Sequence, residues 1–125
     1  PKRFFGAGRK LEEGGSLTVF ASVLSGTSSK LDEMLLQELQ GGSTSEIFLS
    51  QETAEAHIFP ALNIGKSGTQ NEEGLTSPEQ VSQVQKLREE LREANSAGNP
   101  SRGMELLLQK ITSTEDNESL LGNYS

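Results

Sequence analysis

Phosphate binding is the first chemistry to test in this sequence, and residues 25–30 are the first place to look. Ser25-Gly26-Thr27-Ser28-Ser29-Lys30 is a small-residue loop that runs from the end of an apolar stretch into a helical pattern. In open α/β sheets ligands collect at that edge; the plainer reading is a strand-to-helix connection. Two further stretches stand out. Phe59-Pro60-Ala61-Leu62 places an aromatic–proline pair inside an apolar run, which otherwise reads as an edge strand or bulge with a core Phe. Lys66-Ser67-Gly68-Thr69-Gln70 is a polar turn with one cation, otherwise a solvated loop. Other chemistries lack their residues. A phosphate-wrapping P-loop needs Gly-x4-Gly-Lys-Ser/Thr, and neither Gly6-Ala7-Gly8 nor Gly14-Gly15 is followed by it. The single His57 has no second His or Cys to share a metal with. There is no Gly-x-Ser-x-Gly elbow, and Asp32, Glu33 and Glu38 read as a solvated helix face.

The bulk numbers narrow the field further. The chain has 125 residues, one domain's length, with 32% hydrophobic residues, no Trp, one Tyr and five Phe. Its formal net charge is −7. A protein that holds nucleic acid by a broad face is normally basic, because phosphate neutralisation supplies most non-specific affinity. Any contact with RNA must come from a local cluster or from cations elsewhere in an assembly. The cations are uneven: Lys2, Arg3, Arg9 and Lys10 crowd the N-terminus. No stretch approaches the roughly 20 apolar residues of a membrane helix. Cysteine is absent. With no signal-peptide pattern, the expectation is a cytoplasmic protein with no membrane partner.

The elements that would position these stretches follow from periodicity. Residues 2–13 read as a short helix stopped by Gly14-Gly15. Residues 16–24 (SLTVFASVL) are apolar on both faces, as in a strand covered on both sides within a parallel sheet. Residues 30–40 carry Leu31, Met34, Leu35 and Leu39 at helical spacing, with Ser29 and Asp32 as a capping box and Gly41-Gly42 as a stop. A short strand at 46–49, one or two helical turns at 51–57, an apolar run at 58–64 and a polar loop at 65–74 follow. Ser77-Pro78-Glu79-Gln80 is a helix start, with Ser as N-cap, Pro at the first position and Gln at the third. That helix runs to about Ala94 with Val81, Val84, Leu87 and Leu91 on one stripe. After a linker at 95–102 a second helix puts Met104, Leu107, Leu108 and Ile111 on one face, and Ser113 and Asp116 cap a last short helix. Patterning alone therefore predicts an incomplete α/β sheet followed by helices.

Taken in order, these segments resemble one family. Pro1-Lys2-Arg3-Phe4-Phe5-Gly6-Ala7 and Glu12-Glu13-Gly14-Gly15-Ser16-Leu17-Thr18 look like the middle of the ATPase core of Rho termination factors. Ser29-Lys30-Leu31-Asp32-Glu33, Phe59-Pro60-Ala61-Leu62 and Ser67-Gly68-Thr69 follow in the Rho order and spacing. The likeness is strong over residues 1–75 and weaker in the helices, where Glu105-Leu106-Leu107 continues it. It implies the C-terminal half of a partial RecA-like P-loop NTPase sheet at 1–75 and a C-terminal helical segment at 76–125. It also implies a six-membered ring that hydrolyses ATP between subunits and draws RNA through its centre.

On that resemblance Thr27, Ser28, Ser29 and Lys30 form the RNA-contacting pore loop, with Lys30 nearest the phosphates, and Phe59 packs on the adenine. Where the family's Ser-Gly-Thr motif ends in an arginine that reaches the neighbour's ATP, this chain has Gln70. Gln51 and His57 also stand where the family usually has Arg, and Gln40 where it has Lys. An arginine finger contributes roughly 10³–10⁵ in rate, so the expectation is a Rho-like RNA translocase of transcription termination, impaired in hydrolysis. ATP and Mg would be held by the P-loop half, expected upstream of Pro1, and this segment alone holds no catalytic residue. RNA and other subunits are the expected direct partners, with RNA polymerase an indirect one. The alternative is a non-catalytic interaction module that docks on intact Rho-type subunits.

Overall fold

The computed structural model describes residues 2–125; Pro1, which opens the family-like pattern, lies outside the described residues. The chain divides into two compact units, Pro1–Thr44 and Ser45–Ser125. This cut differs from the family-based division at 75/76.

In the first unit, α1 (Lys2–Phe5) is a single turn. The helix expected over 2–13 stops early because Gly6 and Gly8 follow at once, and glycine costs a helix about 1 kcal/mol relative to Ala. The chain then forms a hairpin in which β1 (Arg9–Lys10) pairs antiparallel with β2 (Ser16–Leu17). Gly14, at φ 124, supplies the turn conformation that other residues avoid. The strand expected over 16–24, buried on both faces in a parallel sheet, is therefore corrected. Only Ser16–Leu17 is paired, and Phe20 is 90% exposed. The side-chain pattern suits cover on both faces, but a strand also needs neighbours at its edges, and among the described residues only β1 pairs with this segment, at Ser16 and Leu17.

The helix α2 (Lys30–Gln40) forms where its periodicity placed it. Leu35 and Leu39 are half-buried, whereas Leu31 and Met34 remain exposed. A Lys2–Glu38 ion pair of 3.7 Å links α1 to α2, an exposed pair of small energetic weight.

The second unit contains the fully buried apolar residues. It starts with β3 (Ser45–Glu46), which pairs antiparallel with β4 (Gly68–Thr69), and Leu49 bridges to Leu62. Between them α3 (Gln51–Glu55) is capped by Ser50, whose hydroxyl accepts from the Thr53 amide. The described fold is thus mixed helix and strand with two small antiparallel pairs, compatible with part of an α/β domain.

Three helices follow: α4 (Pro78–Ser96), α5 (Arg102–Thr112) and α6 (Asn117–Gly122). The start of α4 is the reciprocal capping box that Ser77, Pro78 and Gln80 predicted. Asp116 caps α6 by accepting from Ser119 N–H at 2.7 Å, which holds its carboxyl below the usual range. Leu87 and Leu91 from α4 meet Leu120 from α6, with Ile64, Leu106, Leu107, Leu121 and Tyr124 packed around them.

Two contacts fix how α4 meets α5. Asn95, expected in a linker, lies inside α4 and its side-chain oxygen accepts the Gly103 N–H at 2.7 Å. It serves a donor of the first turn of α5, which Ser101 leaves uncapped. Gly103 has no room for a side chain: a Cβ there would lie 2.6 Å from the Leu91 carbonyl oxygen and 2.8 Å from Asn95 Oδ1. Gly103→Ala is therefore expected to destabilise the fold by about 1–3 kcal/mol despite alanine's better helix propensity. Gly122→Ala, with nothing within 4 Å, is expected to be neutral or slightly stabilising. Urea unfolding followed by circular dichroism compares the two.

A polar cluster closes the bundle. The Tyr124 hydroxyl donates to Glu90, Lys110 pairs with Glu90 at 3.1 Å, and the Lys110 ammonium lies 5.3 Å from the Tyr124 ring centroid. Lys86 donates to the Tyr124 carbonyl at 2.9 Å. The Tyr124 hydroxyl, with help from Lys110, holds Glu90 below its ordinary 4.5 against the opposing pull of burial. Burial, then the bond to Glu90, raises Tyr124 above 10.0. Bonds to Tyr124 and then Glu90 raise Lys110 above 10.5.

A lowered carboxyl stabilises the fold above its unfolded value and loses that contribution as pH falls through its folded value. The raised tyrosine and lysine stabilise below their unfolded values and lose it as pH rises through their folded ones. The cluster thus contributes fully between 4.5 and 10.0. Glu90→Gln is expected to lower the melting temperature near neutrality and to shrink its fall between about pH 5 and pH 3. Thermal melts across that range read both effects.

Candidate nucleic-acid and nucleotide interface

The loop at 27–30 is a built loop. Ser29 caps α2 and its hydroxyl accepts from Asp32 N–H at 3.4 Å, as the capping pattern predicted. The return arm differs from a capping box. Asp32 turns its carboxylate to the Thr27 hydroxyl, which donates to Oδ2 at 2.7 Å, and Thr27 Oγ1 accepts from Ser29 N–H at 3.4 Å. Asp32, read from sequence as part of a solvated face, thus shapes the loop through Thr27. Gly26, at φ 71, supplies the left-handed residue that starts the turn. Ser28, Ser29 and Lys30 are exposed, and Thr27 is half-buried. The arrangement presents hydroxyl groups and one ammonium at the start of a helix, where peptide dipoles already favour anions.

Phe59 and Gln70 lie in the second unit. Phe59 is 64% exposed, and the Phe59–Pro60 peptide is cis. With His57 and Ile58 it forms one wall of an open cavity of about 570 Å³, and Glu105, Leu108 and Thr112 of α5 form the other. Phe59 is therefore a free aromatic face rather than a core residue. Leu108, from the apolar face of α5 that periodicity marks, lines this cavity.

Gln70 is exposed and follows directly on β4. The turn that precedes it is held tightly. Ser67 Oγ accepts the Phe48 N–H at 2.9 Å and donates to the Asn63 carbonyl at 2.7 Å. Arg88 of α4 donates from Nη1 to the Ser67 carbonyl at 2.9 Å and to the Ile64 carbonyl at 3.3 Å. Sequence reading missed Arg88, because a separation of 21 positions from Ser67 leaves no local pattern. Of the other positions singled out for a missing cation, Gln51 donates to Glu55 at 2.8 Å. His57 takes φ 57 just past α3, and Gln40 ends α2 in the first unit. Among the described residues no group of three or more His, Cys, Asp or Glu is placed to hold a metal ion. Nor, among the described residues, is any helix long and apolar enough to cross a membrane.

No protein-family model matches the sequence. Individual proteins do. The chain is 44% identical over 121 residues to the transcription termination factor Rho of Aquifex aeolicus, covering 97% of this chain and 27% of that protein. The Rho of Thermotoga maritima gives 44% over 121 residues, again 97% and 27%. The Rho of Borreliella burgdorferi gives 40% over 125 residues, 100% of this chain and 24% of that protein. The chain spans about a quarter of the length of the curated relatives it matches. Over that quarter, the chain is similar to transcription termination factor Rho along nearly its whole length.

Proposed function

We propose that the chain acts as the C-terminal segment of a Rho-like, ATP-dependent RNA translocase of transcription termination, with hydrolysis impaired at the subunit boundary. The observation that carries this reading is the 40–44% identity to Rho factors along nearly the whole chain. On this reading residues 1–75 complete a RecA-like core and 76–125 form its C-terminal helices. Thr27, Ser28, Ser29 and Lys30 face RNA in the centre of a ring, Phe59 offers its ring to the adenine, and Gln70 occupies the finger position. Exposure of Lys30, Phe59 and Gln70 supports these roles, and aromatic stacking suits any purine face. ATP, Mg and the P-loop would come from the rest of a complete polypeptide, RNA polymerase being reached through the transcript.

One lysine per subunit suffices in a ring, because copies line a single channel; the acidic balance of −7 is then no obstacle. The neutral Gln70 cannot stabilise charge on a transferring phosphoryl group as arginine does. A second reading, a docking module for intact Rho-type subunits, draws on the open apolar side chains Phe20, Leu24, Leu31 and Met34 of the first unit. Co-purification with such a subunit at low salt supports it, and failure to co-purify removes it.

Three measurements on the complete polypeptide test the main reading. Its RNA-dependent ATP turnover is expected to be at least about 10³-fold below that of the Gln70→Arg variant; turnover near about 1 s⁻¹ without that change overturns the impairment. Lys30→Ala is expected to weaken RNA binding and lower the salt slope by about one charge. Asp32→Ala is expected to weaken RNA binding although it removes a negative charge, while Asp32→Asn, which keeps an acceptor for Thr27, binds as tightly or more so. Tighter binding by Asp32→Ala would show that Asp32 acts by repulsion alone.

A further inference from the structure

We infer that Arg88 is a positioning residue for the turn that presents residue 70. The inference rests on the reading of Gln70 as the finger position. The turn ahead of Gln70 is anchored on three sides. Its backbone pairs with β3 in the register Ser45↔Thr69 and Glu46↔Gly68, and the Ser45 and Thr69 hydroxyls lie 2.8 Å apart. Its Ser67 hydroxyl is tied to Phe48 and Asn63. Its third anchor is Arg88, the link among these three that reaches a long helix. One guanidinium nitrogen takes both the Ile64 and Ser67 carbonyls, and charged donors make the stronger hydrogen bonds.

The geometry explains why a cation stands there. Residues 63–67 form a helical turn, with Ser67 N–H donating to the Asn63 carbonyl at 3.1 Å, so the carbonyls of Ile64 and Ser67 are left without helical donors. Arg88 supplies them from outside, as a cation does at a helix C-terminus. Its neighbours on α4, Leu87 and Leu91, are buried with Ile64 packed on them. The start and end of the turn are therefore both referred to the core, and residue 70 leaves the frame two residues beyond β4's first position. A finger must reach a phosphoryl group within hydrogen-bonding distance, and a misplacement of about 1 Å can cost on the order of 10²-fold in rate.

The test uses the complete polypeptide with Gln70→Arg, in which the finger is restored. Adding Arg88→Met, which keeps the apolar stem, is expected to lower kcat on the order of 10²-fold with KM for ATP and the melting temperature little changed. Arg88→Lys is expected to recover part of that loss, since it keeps the charge without the fork. Hydrogen exchange provides a readout independent of catalysis: amides of 66–70 exchange faster in Arg88→Met while those of 80–94 stay protected. Unchanged kcat together with unchanged exchange overturns the inference. If Gln70→Arg itself restores no hydrolysis, the finger reading falls; faster exchange at 66–70 then still supports Arg88 as the holder of the turn, and unchanged exchange overturns it.

Discussion

The second unit depends on one close approach, the seating of α5 on the carbonyl face of α4 at Gly103. Backbone there comes nearer than any side chain permits, and the space saved is used by the Asn95 side chain, which supplies the acceptor that the N-terminus of α5 lacks. The neighbouring contacts between α4 and α5 inherit that distance. Met104, next in sequence, is 3% exposed, and Leu91, whose carbonyl a Cβ at Gly103 would strike, is 2% exposed. The Glu90–Lys110–Tyr124 cluster can form only if α4, α5 and α6 sit at matching heights.

What the sequence revealed, and what it hid, divides by range. Local chemistry was legible: the capping box at Ser77 and Gln80, the Ser29 cap of α2 and the Asp116 cap of α6 stand where residue types and spacing placed them. The stripe of Leu87 and Leu91 is buried as periodicity implied. Longer-range facts were not. The apolar pattern of 16–24 reports two faces that suit burial, yet a strand is made by a neighbour's hydrogen bonds, and only Ser16–Leu17 finds one. Asn95 read as linker because Asn, Ser and Gly are turn residues, but its side chain serves a helix eight residues on. At the candidate site, the loop and its lysine were visible as a motif. Arg88 and the return arm of Asp32 were not, because each acts through a bond that residue type alone leaves unspecified.

An acidic chain must use its cations sparingly, and this one uses several internally. Lys86, Arg88 and Lys110 serve carbonyls, a carboxylate and an aromatic ring of their own unit. Salt weakens exposed pairs such as Arg102–Glu105 more than half-buried ones, so the Arg88 bonds are the more robust of these links. Lys30 differs in kind: it stands exposed at the first position of a helix, where it adds to the positive end of the peptide dipoles rather than cancelling them.

The bond from Thr27 to Asp32 has a consequence for what the loop can recognise. A threonine hydroxyl has a single proton, and here it is committed to a carboxylate, while one lone pair is engaged by the Ser29 amide. A phosphodiester offers only acceptors, so it finds nothing to accept from at Thr27. On the proposed reading an anion would instead meet the hydroxyls of Ser28 and Ser29 and the ammonium of Lys30, all three exposed beside the tied threonine.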